Sequence, residues 1–177
     1  RAVSKRIIRC NPFVHTKYEK EENKIRFLQK SEILKLMAMK MNDREAELAR
    51  QMFVFSCFTG LAIADMEQLQ YKHIQTAADG RKYIRKERQK TKVEFIVPLH
   101  PIAETIIRHC MEEQEENGEQ QAVKEKGDSL IFPHECSRSV INDRLSIVGK
   151  ACGIKERLSF HMARHTFGTM SLSAGIP

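Results

Sequence analysis

No apolar run in these 177 residues is long enough to cross a bilayer, and no charged-then-apolar leader opens the chain. A membrane-spanning protein is therefore not expected, and a cytoplasmic one is. The five cysteines (Cys10, Cys57, Cys110, Cys136 and Cys152) are scattered, odd in number and form no CxxC pair. That pattern argues against a disulfide framework or a structural zinc site and fits a reducing compartment. No internal repeat is visible. The length suits one ordinary domain with some residues left over for a linker.

What is present is charge. Hydrophobic residues make up 41% and charged residues 30%, a globular balance, with a net charge of +7 and a pI near 9.2. A basic excess suggests a polyanionic partner, and its distribution strengthens that suggestion. The stretch Arg81–Lys92, "RKYIRKERQKTK", holds seven bases and one acid. The stretch Glu112–Glu119, "EEQEENGE", holds five acids and no base, and is expected to be a solvated loop.

Residues 1–25 are polar, broken by Asn11-Pro12, and are expected to form an extended linker from an upstream domain. From Arg26 the punctuation becomes regular. Ser31 can cap a helix carrying Ile33, Leu34, Met37 and Met41 on one side. Asp43 can cap a second, with Leu48, Met52 and Phe55 inward and Gly60 as a left-handed stop. A short helix is expected from Ile63 to Leu69. Between His73 and Leu99 the period changes. "KYIRKER" and "KVEFIVPL" look like strands joined by a tight turn at Gln89–Lys92, and Asp79-Gly80 marks an earlier turn. Pro101 fits the first turn of a helix whose Ile102, Ile106 and Cys110 share a face. Ile141, Leu145, Val148 and Cys152 mark another helix, ending at Gly153. Ser159 can cap a last one running toward Gly175. The fold class this predicts is α+β: mostly helical, with one small antiparallel sheet.

The densest chemistry lies at the start of that last helix, in "HMARHTFGT". Residues three and four apart share a helix surface, so His161, Arg164 and His165 should project together. Two imidazoles and a guanidinium at a helix N-terminus form a receptor for an oxyanion such as phosphate. Two partly buried structural histidines beside a surface arginine would give the same spacing. A metal site is a further alternative, because His161 and His165 have the i, i+4 spacing of zinc ligands. Against it, Met162 stands where the metalloprotease pattern needs a glutamate, and Arg164 would repel a cation.

"HMARHTFGT" resembles the His-x-x-Arg-His box of the tyrosine recombinases, or phage integrase family. Three more segments resemble that family in its order: "NPF…RFLQKSEI" the start of its catalytic domain, "FSCFTGLAIADMEQLQYKHI" its helix-turn segment, and "KTKVEFIVPLHP" its lysine hairpin. Together they cover about Asn11 to Pro177. The resemblance implies attack by a tyrosine on a DNA phosphodiester, giving a 3′-phosphotyrosine and a free 5′-hydroxyl, with no metal and no cofactor. It implies that Arg164 grips the non-bridging oxygens, that His161 helps activate the nucleophile, and that His165 supports the site. Lys90 matches the lysine that protonates the leaving 5′-oxygen, and Asp65 the acid that supports the site. Residues 26–177 would then be the catalytic domain, cut before the nucleophile, with double-stranded DNA as partner. A tetramer on DNA, and DNA-bending accessory proteins, are implied by the same likeness.

Two features depart from the family pattern. The three tyrosines, Tyr18, Tyr71 and Tyr83, all precede the box, so the nucleophile is expected beyond Pro177. Where the family writes "TGLR" this chain has "TGLA", so Ala62 stands in place of a phosphate-gripping arginine. Arg88, two residues before Lys90 and on the same strand face, is expected to supply the missing contact. The leading expectation is a mobile-element integrase. The alternatives are a DNA-binding relic or regulator that does not cut, and a topoisomerase using the same chemistry.

Overall fold

The computed structural model describes residues 26–88, 91–116 and 127–176. The expected linker of residues 1–25 lies outside that range. Helix α1 (Lys30–Ala38) leads into α2 (Arg44–Thr59), around which the other helices gather. From Met52 to Cys57 every side chain of α2 is buried, as required of a helix enclosed on all sides. Three helices cover it besides α1: α4 (Pro101–Glu116), α5 (Arg138–Ala151) and α6 (Phe160–Ser173). Phe53 meets the Phe160 ring at 6.2 Å and Phe55 meets Phe132 at 5.2 Å, so aromatic pairs fix α2 within the core.

Between α2 and α4 lie a one-turn helix, α3 (Ile63–Met66), a 3-10 turn (Tyr71–His73) and an antiparallel sheet. The sheet has three strands in the order β1 (Ile74–Thr76), β2 (Lys82–Glu87), β3 (Glu94–Pro98). Ile84 sits opposite Ile74 on one side and Val97 on the other. It is completely buried and pins the inner face of the sheet to the core. The architecture is the expected one: mostly helical, with one small antiparallel sheet.

Several local expectations are corrected. The first helix begins at Lys30 rather than after Ser31, because Glu32 closes back on the amide of Gln29 at 2.8 Å. It ends at Ala38, so Met41 is not part of it, and Leu34 is 54% exposed. Met41 instead donates its amide to the buried carboxylate of Glu47 at 2.9 Å, which sets the angle between α1 and α2. Burial would raise the pKa of Glu47, but Arg50 and the Met41 amide hold it below the ordinary value. α3 stops at Met66, three residues early. On α4 the buried stripe is Ala103, Ile107, Cys110 and Gln114, rotated from the expected one, with Ile102 and Ile106 half-buried at its flank. Residues Glu112–Glu116 of the acidic run are helical, not loop; the rest of that run lies outside the described residues.

The stop of α2 has the widest consequences. Gly60 adopts φ 66°, and its amide donates to Ser56 at 2.9 Å. A Cβ at this position would lie 2.6 Å from Cδ1 of Phe167 on α6. Only glycine meets both demands. Gly60→Ala is expected to lower the unfolding free energy by about 2–4 kcal/mol, combining left-handed strain with crowding. Part of that loss should disappear when Phe167→Ala is already present. Denaturant unfolding of the two single variants and the double variant checks this; strictly additive costs would mean that Gly60 and Phe167 do not constrain each other.

Candidate active site

Ser159 caps α6 as expected, accepting from the amide of Met162 at 3.3 Å. One side of the helix is its seat. Met162, Ala163 and Thr166 are buried, and Thr166 Oγ1 accepts from the backbone amide of Leu28 at 2.9 Å while donating to the Met162 carbonyl. The opposite side carries the box. His161 is exposed, Arg164 and His165 are half-buried, and the two imidazoles meet edge to face at 4.2 Å. The first two turns of α6 thus present three nitrogen-bearing side chains near its free N-terminal amides, where an anion is favoured.

The turn at Gly60 brings a second segment to this helix. Phe167 lies one turn after Arg164, and Gly60 packs directly on its ring. Ala62 follows immediately, at the N-cap of α3, half-buried and with no side-chain hydrogen-bonding group. Asp65 lies within α3 and is 5% exposed; its amide donates to the Ala62 carbonyl at 3.0 Å.

The hairpin supplies the third segment. Its turn is bracketed by Arg88 N–H to Val93 O at 2.9 Å and Lys92 N–H to Arg88 O at 3.0 Å. Gln89 and Lys90 lie outside the described residues, so the structure gives no position for Lys90. Along β2 the side chains alternate. Ile84 and Lys86 face inward with their partners Val97 and Phe95, whereas Arg85 faces outward and pairs with Glu94 at 2.8 Å. Arg88, exposed and just past the end of β2, holds its guanidinium carbon 5.3 Å from the centre of the Phe95 ring. Lys86, inward and half-buried, donates to the carbonyls of Asp65 at 3.1 Å and Gln68 at 2.5 Å. Contacts therefore run from the hairpin through Lys86 to α3, and from the Gly60 turn through Phe167 to α6.

The phage integrase family model matches residues 26–177. The chain belongs to that family. Comparison with curated proteins gives no match. Solved structures similar to this integrase-family chain include XerH site-specific recombinase bound to difH substrate, with a TM-score of 0.64 at 19% identity. That similarity covers 89% of this chain and 46% of the other. The Tn1549 transposon integrase in complex with circular-intermediate DNA has a TM-score of 0.62 at 17% identity, covering 99% and 62%. XerA recombinase has a TM-score of 0.62 at 16% identity, covering 90% and 54%. At these identities the likeness establishes the fold, and this chain spans roughly half the length of the structures it resembles.

Within this integrase-family fold, His161, Arg164 and His165 share one surface, and Asp65 and Ala62 lie on the segment packed beside them. Among the described residues no group of three or more histidine, cysteine or acidic side chains could hold a metal ion, so His161 and His165 have no third ligand there. No described helix is long and apolar enough to cross a membrane. Sequence reasoning misses Lys86, although its alternation with Ile84 places it on the inner face. The helix has a seat and a working face, and these should respond differently. Thr166→Val orphans the Leu28 amide and is expected to cost about 1–3 kcal/mol, whereas His161→Ala should stay within about 0.5 kcal/mol of the parent. Thermal or chemical unfolding of both variants decides it; the reverse ranking would mean that the two faces are misassigned.

Proposed function

We propose that this chain is the catalytic domain of a site-specific DNA recombinase carried by a mobile element, an integrase acting in the cytoplasm. The observation that carries the reading is the presentation of His161, Arg164 and His165 on one face of the first two turns of α6, against the Gly60–Ala62 turn. Such an arrangement suits a tetrahedral anion, and a basic hairpin beside it suits the flanking backbone of duplex DNA.

In this mechanism a tyrosine hydroxyl oxygen attacks the scissile phosphorus while the bond from phosphorus to the 5′-oxygen breaks. Neither Tyr71 nor Tyr83 is placed for this. The Tyr71 hydroxyl lies 3.3 Å from Gln114 Nε2, and that of Tyr83 donates to Gln75 at 2.9 Å. The nucleophile is assigned to a tyrosine of the intact recombinase outside these 177 residues. Arg164 holds the non-bridging oxygens with its planar fork, and His161 assists removal of the phenolic proton. Lys90 delivers a proton to the departing 5′-oxygen. His165 braces His161 edge to face, and buried Asp65 supports the site from α3. The phosphotyrosine conserves the bond energy, so strand joining is the same reaction reversed with another 5′-hydroxyl, and no nucleotide cofactor is consumed. The working assembly is a tetramer on two duplexes, with DNA-bending proteins as accessories.

Ala62 leaves the phosphate clamp short of one guanidinium, and we assign that role to Arg88, which follows β2 and lays its guanidinium over Phe95, the partner of Lys86. A second reading, a DNA-binding relic that does not cut, draws on the same alanine. Single-turnover cleavage of attachment-site DNA by the intact recombinase separates the two. Arg164→Ala and Arg88→Ala should each slow cleavage about a hundredfold or more, as removal of a transition-state donor does. Ala62→Arg should restore part of the rate to Arg88→Ala. Loss of one positive charge among many leaves binding largely intact. Normal cutting by Arg88→Ala would rule it out of the clamp, normal cutting by Arg164→Ala would make the box structural, and a parent that binds without cutting would establish the relic.

A further inference from the structure

Lys86 is set apart from the other described bases of the hairpin. Arg81 pairs with Asp79 at 2.7 Å and Arg85 with Glu94 at 2.8 Å, both on the exposed outside. Lys86 instead turns inward and directs its ammonium at two backbone carbonyls, those of Asp65 at 3.1 Å and Gln68 at 2.5 Å. The Asp65 carbonyl lies in α3, and that of Gln68 in the turn that follows it. The position is unfavourable for a free ammonium. Burial lowers the pKa of Lys86, with the nearby charge of Asp65 opposing the shift, and His73 beside it is depressed by burial and then by Lys86 itself. A side chain that only filled this space could be apolar. An ammonium here fixes distance and direction between two separate segments.

We propose that Lys86 is a positioning residue for DNA cleavage: its ammonium ties β2 to the end of α3 and so sets where the hairpin tip stands over the site. This rests on the recombinase reading above. The turn is close enough for the tie to matter. Arg88, whose N–H and C=O close the hairpin turn, is two residues along from Lys86, about 7 Å at the rise of an extended strand. A displacement of about 1 Å at a reacting group can cost on the order of a hundredfold in rate. Loss of the ammonium frees the strand to tilt about Ile84, which remains buried in the core.

The test uses the intact recombinase with Lys86→Met, Lys86→Arg and Lys90→Ala, on attachment-site DNA and on the same DNA with a 5′-bridging sulfur at the scissile phosphate. The sulfur leaves without a proton, so it relieves any defect in delivering one. Lys86→Met should cut ordinary DNA at least about tenfold more slowly, with DNA affinity and unfolding midpoint near those of the parent. The sulfur substrate should recover most of that loss, as it should for Lys90→Ala. Lys86→Arg, still able to donate to both carbonyls, should keep most of the rate. Normal cutting by Lys86→Met overturns the proposal. So does a Lys86→Met defect that sulfur leaves untouched while rescuing Lys90→Ala, because the defect would then lie elsewhere in the site. If sulfur rescues neither variant, Lys90 is not the acid and that part of the functional reading fails. Lys86 is then judged by its own pair: a slow Lys86→Met beside a fast Lys86→Arg, at equal affinity and stability, upholds the tie, and equal rates for the two overturn it.

Discussion

The close approach of Gly60 to the ring of Phe167 is the constraint on which the rest of the site depends. A helix buried on every side must end somewhere, and α2 ends where a left-handed residue can turn the chain. That residue must also have no side chain, because α6 passes within van der Waals distance. The consequence reaches the chemistry directly. One turn before Phe167 stands Arg164, and two residues after Gly60 stands Ala62, so a half-buried contact of backbone on ring fixes the spacing of these two positions. The Phe53–Phe160 pair and the bond from Leu28 N–H to Thr166 hold the same helix from its other side.

Charge, too, is arranged by the fold. The basic run that dominates the sequence between Arg81 and Lys92 is not a uniform patch once folded. Two of its arginines are engaged with nearby carboxylates on the outer face, and Lys82 lies 3.6 Å from Glu104. Such exposed pairs add little stability, but they reduce the charge presented outward. Lys86 instead follows Ile84 onto the inner face, and Arg88, exposed past the end of β2, lies over Phe95. Strand alternation, with position along the strand, therefore separates Lys86 from like residues that meet solvent.

Much of this is legible in the sequence, and the parts that are not share a cause. The cap at Ser159, the glycine stop of α2 and the face shared by His161, Arg164 and His165 are local rules, readable from spacing alone. The expected start of α1 at Ser31 fails because Glu32 reaches back to Gln29, a competing cap one turn's geometry away. Periodicity places Met41 on α1, but the helix stops at Ala38 and the Met41 amide is taken by the buried Glu47 of the next helix. The stripe on α4 turns by one residue because Ala103 and Gln114, unremarkable in a sequence, fill positions set by α2 and by the carbonyls of Leu130 and Ile131. Lys86 is hidden among seven similar bases, since nothing local distinguishes an ammonium facing two carbonyls from one facing water.

The central claim is that the N-terminal end of α6, carrying His161, Arg164 and His165, receives the phosphate of a DNA backbone and that this phosphate is cleaved through a tyrosine. Trapping tests it most directly. The intact recombinase is mixed with a nicked attachment-site duplex from which the short 5′-hydroxyl fragment escapes after cutting, so that rejoining is lost and any covalent intermediate accumulates. The account predicts a protein–DNA adduct that survives denaturation, joined through a 3′-phosphate to a tyrosine that follows the His161–Arg164–His165 box in the intact chain. An adduct through Tyr18, Tyr71 or Tyr83, or stable binding to that duplex with no adduct, would contradict it.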